Sequence, residues 1–404
     1  MSDIMKARIM SVMRNLPPLP QVTTQLLAVI NDNDSSADDV TKVLSADGPL
    51  AGKVLKLVNS SFYGVAQEVT TVSRAVVLLG FTGIRNLALG FGTVDALKKM
   101  KCNMDMTRFW SHSIAVASAG QAVAPFVTRR IDPEEAFIAG LMHDIGAYIL
   151  ASAVPETYQE ILDAPADERL LLEQEKFGMD HTLAGQALLK FWKLPDSLSE
   201  ACRFHHDISA ASTTESGLTT LTAIADILAC VNRGDFETSA TENDLMRLLE
   251  HAGLSTDDMT RALDSMNEKV DEMADFMKIT GAGAADMKTE QGPARNCVVI
   301  TTDDQRRELI QALLTHMGHS LFPMDAFFNR QPGSQDVDTV LVDPETLTRD
   351  QLDRLAVFLN DLGVHRAVLV ERGTTVPAAM QDWPTLGFLF SSRQLAGVRD
   401  LTKA

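Results

Sequence analysis

The sequence predicts a multidomain chain, an N-terminal all-α bundle followed by a small α/β domain built on a parallel sheet. Up to about residue 280, apolar residues recur at three- and four-residue intervals, the period of helices that bury one face. From Thr280 to Asn296 the chain turns small, polar and unpatterned, with Gly281, Gly283, Gly292 and Pro293, as a flexible linker does. After Cys297, short apolar runs alternate with amphipathic stretches, the pattern of buried strands separated by helices. These shifts divide the chain into a helical domain over 1–280, a linker over 281–296 and an α/β domain over 297–404. At 404 residues the chain is also long for a single core.

Residues 1–15 read as an amphipathic lead-in, stopped by Leu16-Pro17-Pro18-Leu19-Pro20, because proline lacks the helical donor and restricts the residue before it. Val22, Leu26, Val29 and Ile30 lie at helical spacing. Ser36 can cap the next helix, with Asp38 and Asp39 well placed in its first turn. Pro49 is suited to open another, and residues 59–64 read as a helix end and loop. A helix over about 73–79 is broken by Gly80 and followed by a longer one over about 82–100. Helical patterns continue over 156–162, 168–176, 183–191, from Pro195 toward His205, over 242–249 and over 259–276, with a polar connector over 209–217.

Lys and Arg number 36 and Asp and Glu 54, a net charge of −18 that disfavours nucleic acid and anionic membrane surfaces as partners. Cys102, Cys202, Cys230 and Cys297 are scattered without a framework, as free thiols of a reducing cytoplasm are. The first 14 residues lack an apolar signal core, and no run approaches the roughly 18 apolar residues that span a bilayer. A cytoplasmic location follows as the expectation.

The stretch Phe137 to Leu150 is apolar on both flanks, so it reads as a buried helix or helix pair, yet His143 and Asp144 sit in its middle. A carboxylate there must be paired, protonated or metal-bound. Neighbours on a helix point about 100° apart, so one ion meets both only at a distorted or terminal turn, which Gly146 would permit. Asp226, inside the apolar run Leu221 to Ala229, poses the same question. Five of the nine histidines, His112, His143, His181, His205 and His206, fall between residues 112 and 206. Taken singly, each can also be a core, capping or helix-end residue.

Leu16-Pro17-Pro18-Leu19-Pro20, Asp47-Gly48-Pro49-Leu50, Leu57 to Gly64 with Asn59, and Ala75 to Gly80 through Arg85-Asn86-Leu87 occur in this order over about 200 residues. Together they resemble the HDOD domain of bacterial signalling proteins, related in fold to metal-dependent HD phosphohydrolases. The resemblance implies an output or regulatory role through protein partners or a nucleotide second messenger. It also reads His112, His143, Asp144 and Asp226 as the HD ligand set, with His181, His205 and His206 as the extra ligands of the dinuclear HD-GYP branch. Such donors suit Fe, Mn, Zn, Ni or Co, with Asp144 as bridge and catalytic centre of a phosphodiesterase acting on a cyclic dinucleotide, the alternative reading. Against that enzyme, Ala147 stands where HD-GYP proteins carry a lysine and Arg108 where they carry a glutamate, and no Gly-Tyr-Pro element follows His206. A scaffold with its histidines locked in core hydrogen bonds is a third reading.

In the second domain, strands are expected over 297–301, 319–322, 339–343, 367–371 and 387–390, with helices over 349–362 and 393–401. Asp303 and Asp304 after the first strand and Asp343 after the third resemble the acid pocket and phosphoacceptor of a receiver domain. Glu371 and Ser391-Ser392-Arg393 depart from that pattern, which implies a degenerate module used for contacts.

Overall fold

The computed structural model describes residues 3–30, 32, 34–59, 63, 65–100, 102, 104–233, 238–266, 294–330, 336–360, 362, 364–370, 375–386, 390 and 395. The expected 259–276 helix beyond residue 266, most of the 281–296 linker, most of the 387–390 strand and of the 393–401 helix, Glu371 and Ser391 to Arg393 lie outside them. The chain divides into two compact units, one of residues 1–226 and 265–288, the other of 227–264 and 289–404.

The first unit is all-α. It begins with α1 (Asp3–Arg14), α2 (Gln21–Ile30), α3 (Ala37–Ala46), α4 (Gly48–Val58) and α5 (Val72–Leu97). The caps follow from the sequence: Ser36 and Asp39 form a reciprocal capping box on α3, and Asp47 accepts from the Leu50 amide ahead of α4. Gly80 sits at φ 66°, ψ −179°, so α5 is two helical segments across a kink, as its glycine implies.

Next come α6 (Met106–Val123), α7 (Pro133–Met142), α8 (Ile145–Ala153), α9 (Pro155–Leu162) and α10 (Ala166–Phe177). Then follow α11 (His181–Phe191), α12 (Asp196–Phe204), the short α13 (Ile208–Ala211) and α14 (Gly217–Arg233), which belongs to this unit up to Asp226. The connector expected over 209–217 is therefore helical at its start. Val72–Leu97 and Pro133–Ala153 are long and apolar enough to cross a membrane, but 61% and 89% of their apolar windows are buried against the rest of the protein. The Gly80 kink and the α7–α8 junction also break them.

Two glycines let backbones meet where the buried histidines lie. A Cβ on Gly140 in α7 would stand 2.6 Å from the Ala117 amide nitrogen of α6. A Cβ on Gly146 in α8 would collide with the His181 carbonyl oxygen and the Gly185 nitrogen of α11. Gly146 thus does not distort the helix, as its sequence position implied; the break falls at His143–Asp144, and Gly146 brings α11 close.

The second unit holds α15 (Glu242–Ala252), a helix α16 over 256–266, and a five-stranded sheet. Strands β1 (Asn296–Ile300), β2 (Ser320–Leu321), β3 (Thr339–Val342), β4 (His365–Leu369) and β5 (Thr385–Leu386) are all parallel, in the order β2-β1-β3-β4-β5. Helices α17 (Asp304–His316), α18 (Met324–Phe328) and α19 (Arg349–Asn360) accompany them. Val298, Ile300, Val340 and Val342 pack with Leu355 and Leu359, while Val299 and Leu341 on the opposite face are buried too. Both faces are covered, which is why these strands read as unbroken apolar runs rather than alternating ones.

Gly146→Ala is expected to destabilise the first unit by about 1–3 kcal/mol, since backbone rather than a movable side chain blocks the added methyl. In the control Gly52→Ala the methyl enters open space on α4 and should be neutral or stabilising. Thermal melts of the two variants check this, and equal losses would refute it.

Candidate metal centre

Six helices or their ends deliver the polar side chains. His112 lies within α6, and His143 ends α7 in helical geometry. Asp144 stands at the N-cap of α8 with φ −99° and ψ 10°, and its carboxylate caps no amide, which leaves it free to turn inward. Asp180 caps α11, whose first residue is His181. His205 is the C-cap of α12, His206 follows it, and Asp226 lies in α14. All seven residues expected from the sequence come together in two groups whose donor atoms lie within 4.8 Å of one another. One holds Asp144, His181, His205 and His206, the other His112, His143 and Asp226.

Asp144 stands between them. Its Oδ1 is 3.3 Å from His181 Nε2 and 3.4 Å from His205 Nε2; its Oδ2 is 3.3 Å from His143 Nε2 and 3.7 Å from His112 Nε2. Asp226 Oδ1 is 3.1 Å from His112 Nε2, and its Oδ2 is 3.8 Å from His206 Nδ1. One carboxylate therefore turns an oxygen to each group, the arrangement of a bridging ligand.

The outer nitrogens fix the tautomers. His143 Nδ1 lies 2.7 Å from the Gly140 carbonyl, His205 Nδ1 2.9 Å from that of Cys202, and His181 Nδ1 2.8 Å from Glu173 Oε2. Each acceptor calls for an N–H at Nδ1, so in the neutral ring the lone pair sits on Nε2. Those three Nε2 atoms and Asp144 Oδ1 are buried and make no hydrogen bond of acceptable geometry, although they face one another. Lone pairs converging on carboxylate oxygens in a buried space repel unless a cation lies among them or rings take up protons. The donor set fits a divalent metal.

The electrostatics show how strongly these groups are coupled. Burial alone would raise the Asp144 carboxyl, but His143, His181 and His205 hold it well below the usual range. Burial likewise opposes the lowering of Asp226, which His112, His143 and His206 bring about. His143 is raised against burial by Asp144, and His181 is raised by Glu173 and Asp144. His205 and His206 are lowered, by burial first. Without a metal, then, the two carboxylates are held in ion pairs with rings that gain protons, His143 and His181 foremost, and a bound cation would take the place of those protons.

Arg203 and Lys176, two cations that could stand in for a lysine at position 147, have other partners. Arg203 Nη1 donates to Thr182 Oγ1 at 2.6 Å and lies 3.9 Å from Asp180, and Lys176 pairs with Glu160 at 2.8 Å. Ala147 is buried. Sequence reasoning missed Glu173, which is 1% exposed, and Tyr158, whose hydroxyl donates to Glu173 Oε1 at 2.9 Å. A signal did exist: Glu173 falls between Leu170 and Phe177 on the inward stripe of α10, as Asp226 falls on that of α14.

Residues 16–208 match the HDOD domain family, and this part of the chain is an HDOD domain. Among solved structures, a Shewanella amazonensis protein provisionally named a phosphohydrolase is 29% identical, with a TM-score of 0.53, covering 69% of this chain and 99% of that one. A Geobacter sulfurreducens HDOD domain protein of unknown function is 24% identical, with a TM-score of 0.52 over 70% and 98% of the two chains. A Marinobacter aquaeolei protein provisionally assigned to signal transduction gives 21% and 0.55 over 69% and 66%. These last two bear on the fold alone. An uncharacterized Treponema pallidum protein is 26% identical over 223 residues, and this chain spans 42% of its length.

The family match ends before the second unit, where Asp343 is fully buried at the end of β3. It accepts from Thr301 Oγ1 at 2.9 Å and lies 3.4 Å from Arg306 Nη1; burial raises its carboxyl in spite of both. Arg306 also pairs with Glu242 of α15 and Glu345, each at 2.9 Å. Asp303 caps α17 through the Arg306 amide, and Asp304, 83% exposed, pairs with Arg307. The acidic cluster at the strands' carboxyl ends, where doubly wound sheets bind ligands, is thus organised about an arginine. Arg306→Ala leaves three carboxylates without that charge, two of them buried, and is expected to destabilise the second unit by about 3 kcal/mol. Faster hydrogen exchange in β1, β3 and α15, with the first unit unchanged, is the outcome to look for.

Proposed function

We propose that this chain, with its HDOD domain joined to an α/β unit, is a bacterial cytoplasmic signal-transduction protein that holds a divalent metal pair and works by binding protein or nucleotide partners. The observation that carries the reading is the convergence of seven histidine and aspartate side chains on one buried centre with Asp144 between its halves. His112, His143 and Asp226 would hold one ion, His181, His205 and His206 the other, and Asp144 both. This mixture of imidazole and carboxylate suits Fe, Mn, Zn, Ni or Co.

Binding is favoured over turnover because phosphate recognition has lost its cation. Ala147 offers none, and Arg203 and Lys176 are engaged by Thr182 and Glu160. In this reading the metals rigidify the junction of α7, α8, α11 and α12, and the surface around it is what partners recognise. The second unit adds a contact module whose acid pocket is neutralised from within by Arg306.

A second reading, a metal-dependent phosphodiesterase, is favoured by one feature. The His206 side chain is 25% exposed and that of Asp144 21%, so the centre has an open side. When bound, a metal pair supplies Lewis acidity toward a phosphoryl oxygen.

Metal analysis of the purified chain is expected to find about two transition-metal ions per molecule, falling below one in Asp144→Ala. With Mn2+ or Fe2+ added, bis(p-nitrophenyl) phosphate is expected to turn over at the same background rate in both proteins. Hydrolysis that disappears in Asp144→Ala would replace the binding reading with the enzymatic one.

A further inference from the structure

The two halves of the centre differ in charge. The half formed by His112, His143 and Asp226 owns a carboxylate that faces its imidazoles directly. The other half, His181, His205 and His206, has only imidazoles besides the shared Asp144. A divalent ion there would meet three neutral ligands and part of one charge. Behind His181, however, lies Glu173.

Among the described residues, each hydrogen-bond partner of the Glu173 carboxylate is a donor or a ring nitrogen that can donate. Oε2 accepts from the His181 amide at 2.7 Å and from Nδ1 at 2.8 Å; Oε1 lies 3.1 Å from the same Nδ1 and accepts from the Tyr158 hydroxyl at 2.9 Å. This partner set suits an ionised carboxylate, which only accepts. The residue arises from α10, one turn before its end, and crosses the Gly178 turn to reach the first residue of α11.

We propose that Glu173 is a positioning residue that gives the His181 half its second negative charge, acting through the imidazole rather than by touching the ion. Resting on the metal reading above, this makes Glu173 the counterpart of Asp226: one carboxylate for each half, and Asp144 for both. Glu173 orients the ring by holding its amide and its Nδ1 together, and it raises the basicity of Nε2 by accepting the Nδ1 proton. Tyr158 fixes the second carboxylate oxygen, so the carboxylate cannot rotate away from the ring. Loss of such a partner typically weakens metal affinity about 10- to 100-fold.

The test titrates the metal-free full chain with Co2+, following the visible absorption of the bound ion and the stoichiometry by calorimetry. Wild type is expected to bind two ions. Glu173→Gln should bind one as tightly as wild type and the second about 10- to 100-fold more weakly. In a His112→Ala background, where the retained ion belongs to the His181 half, adding Glu173→Gln should weaken that ion by a similar factor. Tyr158→Phe, which keeps the carboxylate, should shift the same ion's affinity in the same direction but less, and it serves as the test if Glu173→Gln fails to fold. Two ions of unchanged affinity in Glu173→Gln, or in Tyr158→Phe where that substitution serves as the test, overturn the proposal while leaving the metal reading intact, as does equal weakening of both ions. A wild-type chain that takes up no Co2+ overturns the metal reading and this proposal with it.

Discussion

The structure depends on one unfavourable meeting, the Asp144 carboxylate held largely buried among imidazole nitrogens. Left to itself, such a carboxylate would rise in pKa and take a proton, yet the surrounding rings hold it ionised. That outcome needs the rings to arrive from four helices within a few tenths of an ångström of one distance. The helices achieve it by backbone contact: Gly140 against Ala117 fixes α7 on α6, and Gly146 against His181 and Gly185 fixes α8 on α11. Small residues at helix crossings and charged residues at their ends are one design here, because close axes put the junction side chains within reach of each other.

Much of this was legible in the sequence, for a physical reason. A polar residue on an apolar stripe must be explained, and His143, Asp144 and Asp226 each stood on one. At the helix boundaries Ser36 caps and Gly80 breaks the helix as the sequence implied, while the Asp47 and Asp180 caps emerged only from the structure. His181, His205 and His206 were harder to read, since a histidine at a helix end interacts well with the dipole without any partner. Their assignment leaned on family likeness, and their convergence on Asp144 is a property of the packing.

What the sequence hid was pairwise. Gly146 reads as a local break, but its neighbours, His181 and Gly185, lie some 35 to 40 residues away in sequence, and no local pattern links them. Glu173 hides in a stretch that is mostly charged and exposed, so its inward stripe is short. The residues 227–264 read as a continuation of the helical domain by period alone, and period does not say which core a helix joins; they group with the α/β unit. Arg306 gives the same lesson. Its importance comes from Glu242, Asp343 and Glu345, which are close in space but separated by up to about a hundred residues of chain.

Charge then decides what the centre can do once metals enter. Asp144, Asp226 and Glu173 bring three negative charges to it, two of them directly and one through His181. A single divalent ion leaves the group net negative, and an anionic phosphoester would be repelled from it. Two divalent ions would leave it net positive by one charge, with its partly exposed side at His206 and Asp144. In the metal-binding reading, occupancy of the His181 half, the one without its own directly facing carboxylate, would reverse the sign of the field at the centre's open side. A centre built this way would distinguish one bound ion from two electrostatically, before any chemistry is asked of it.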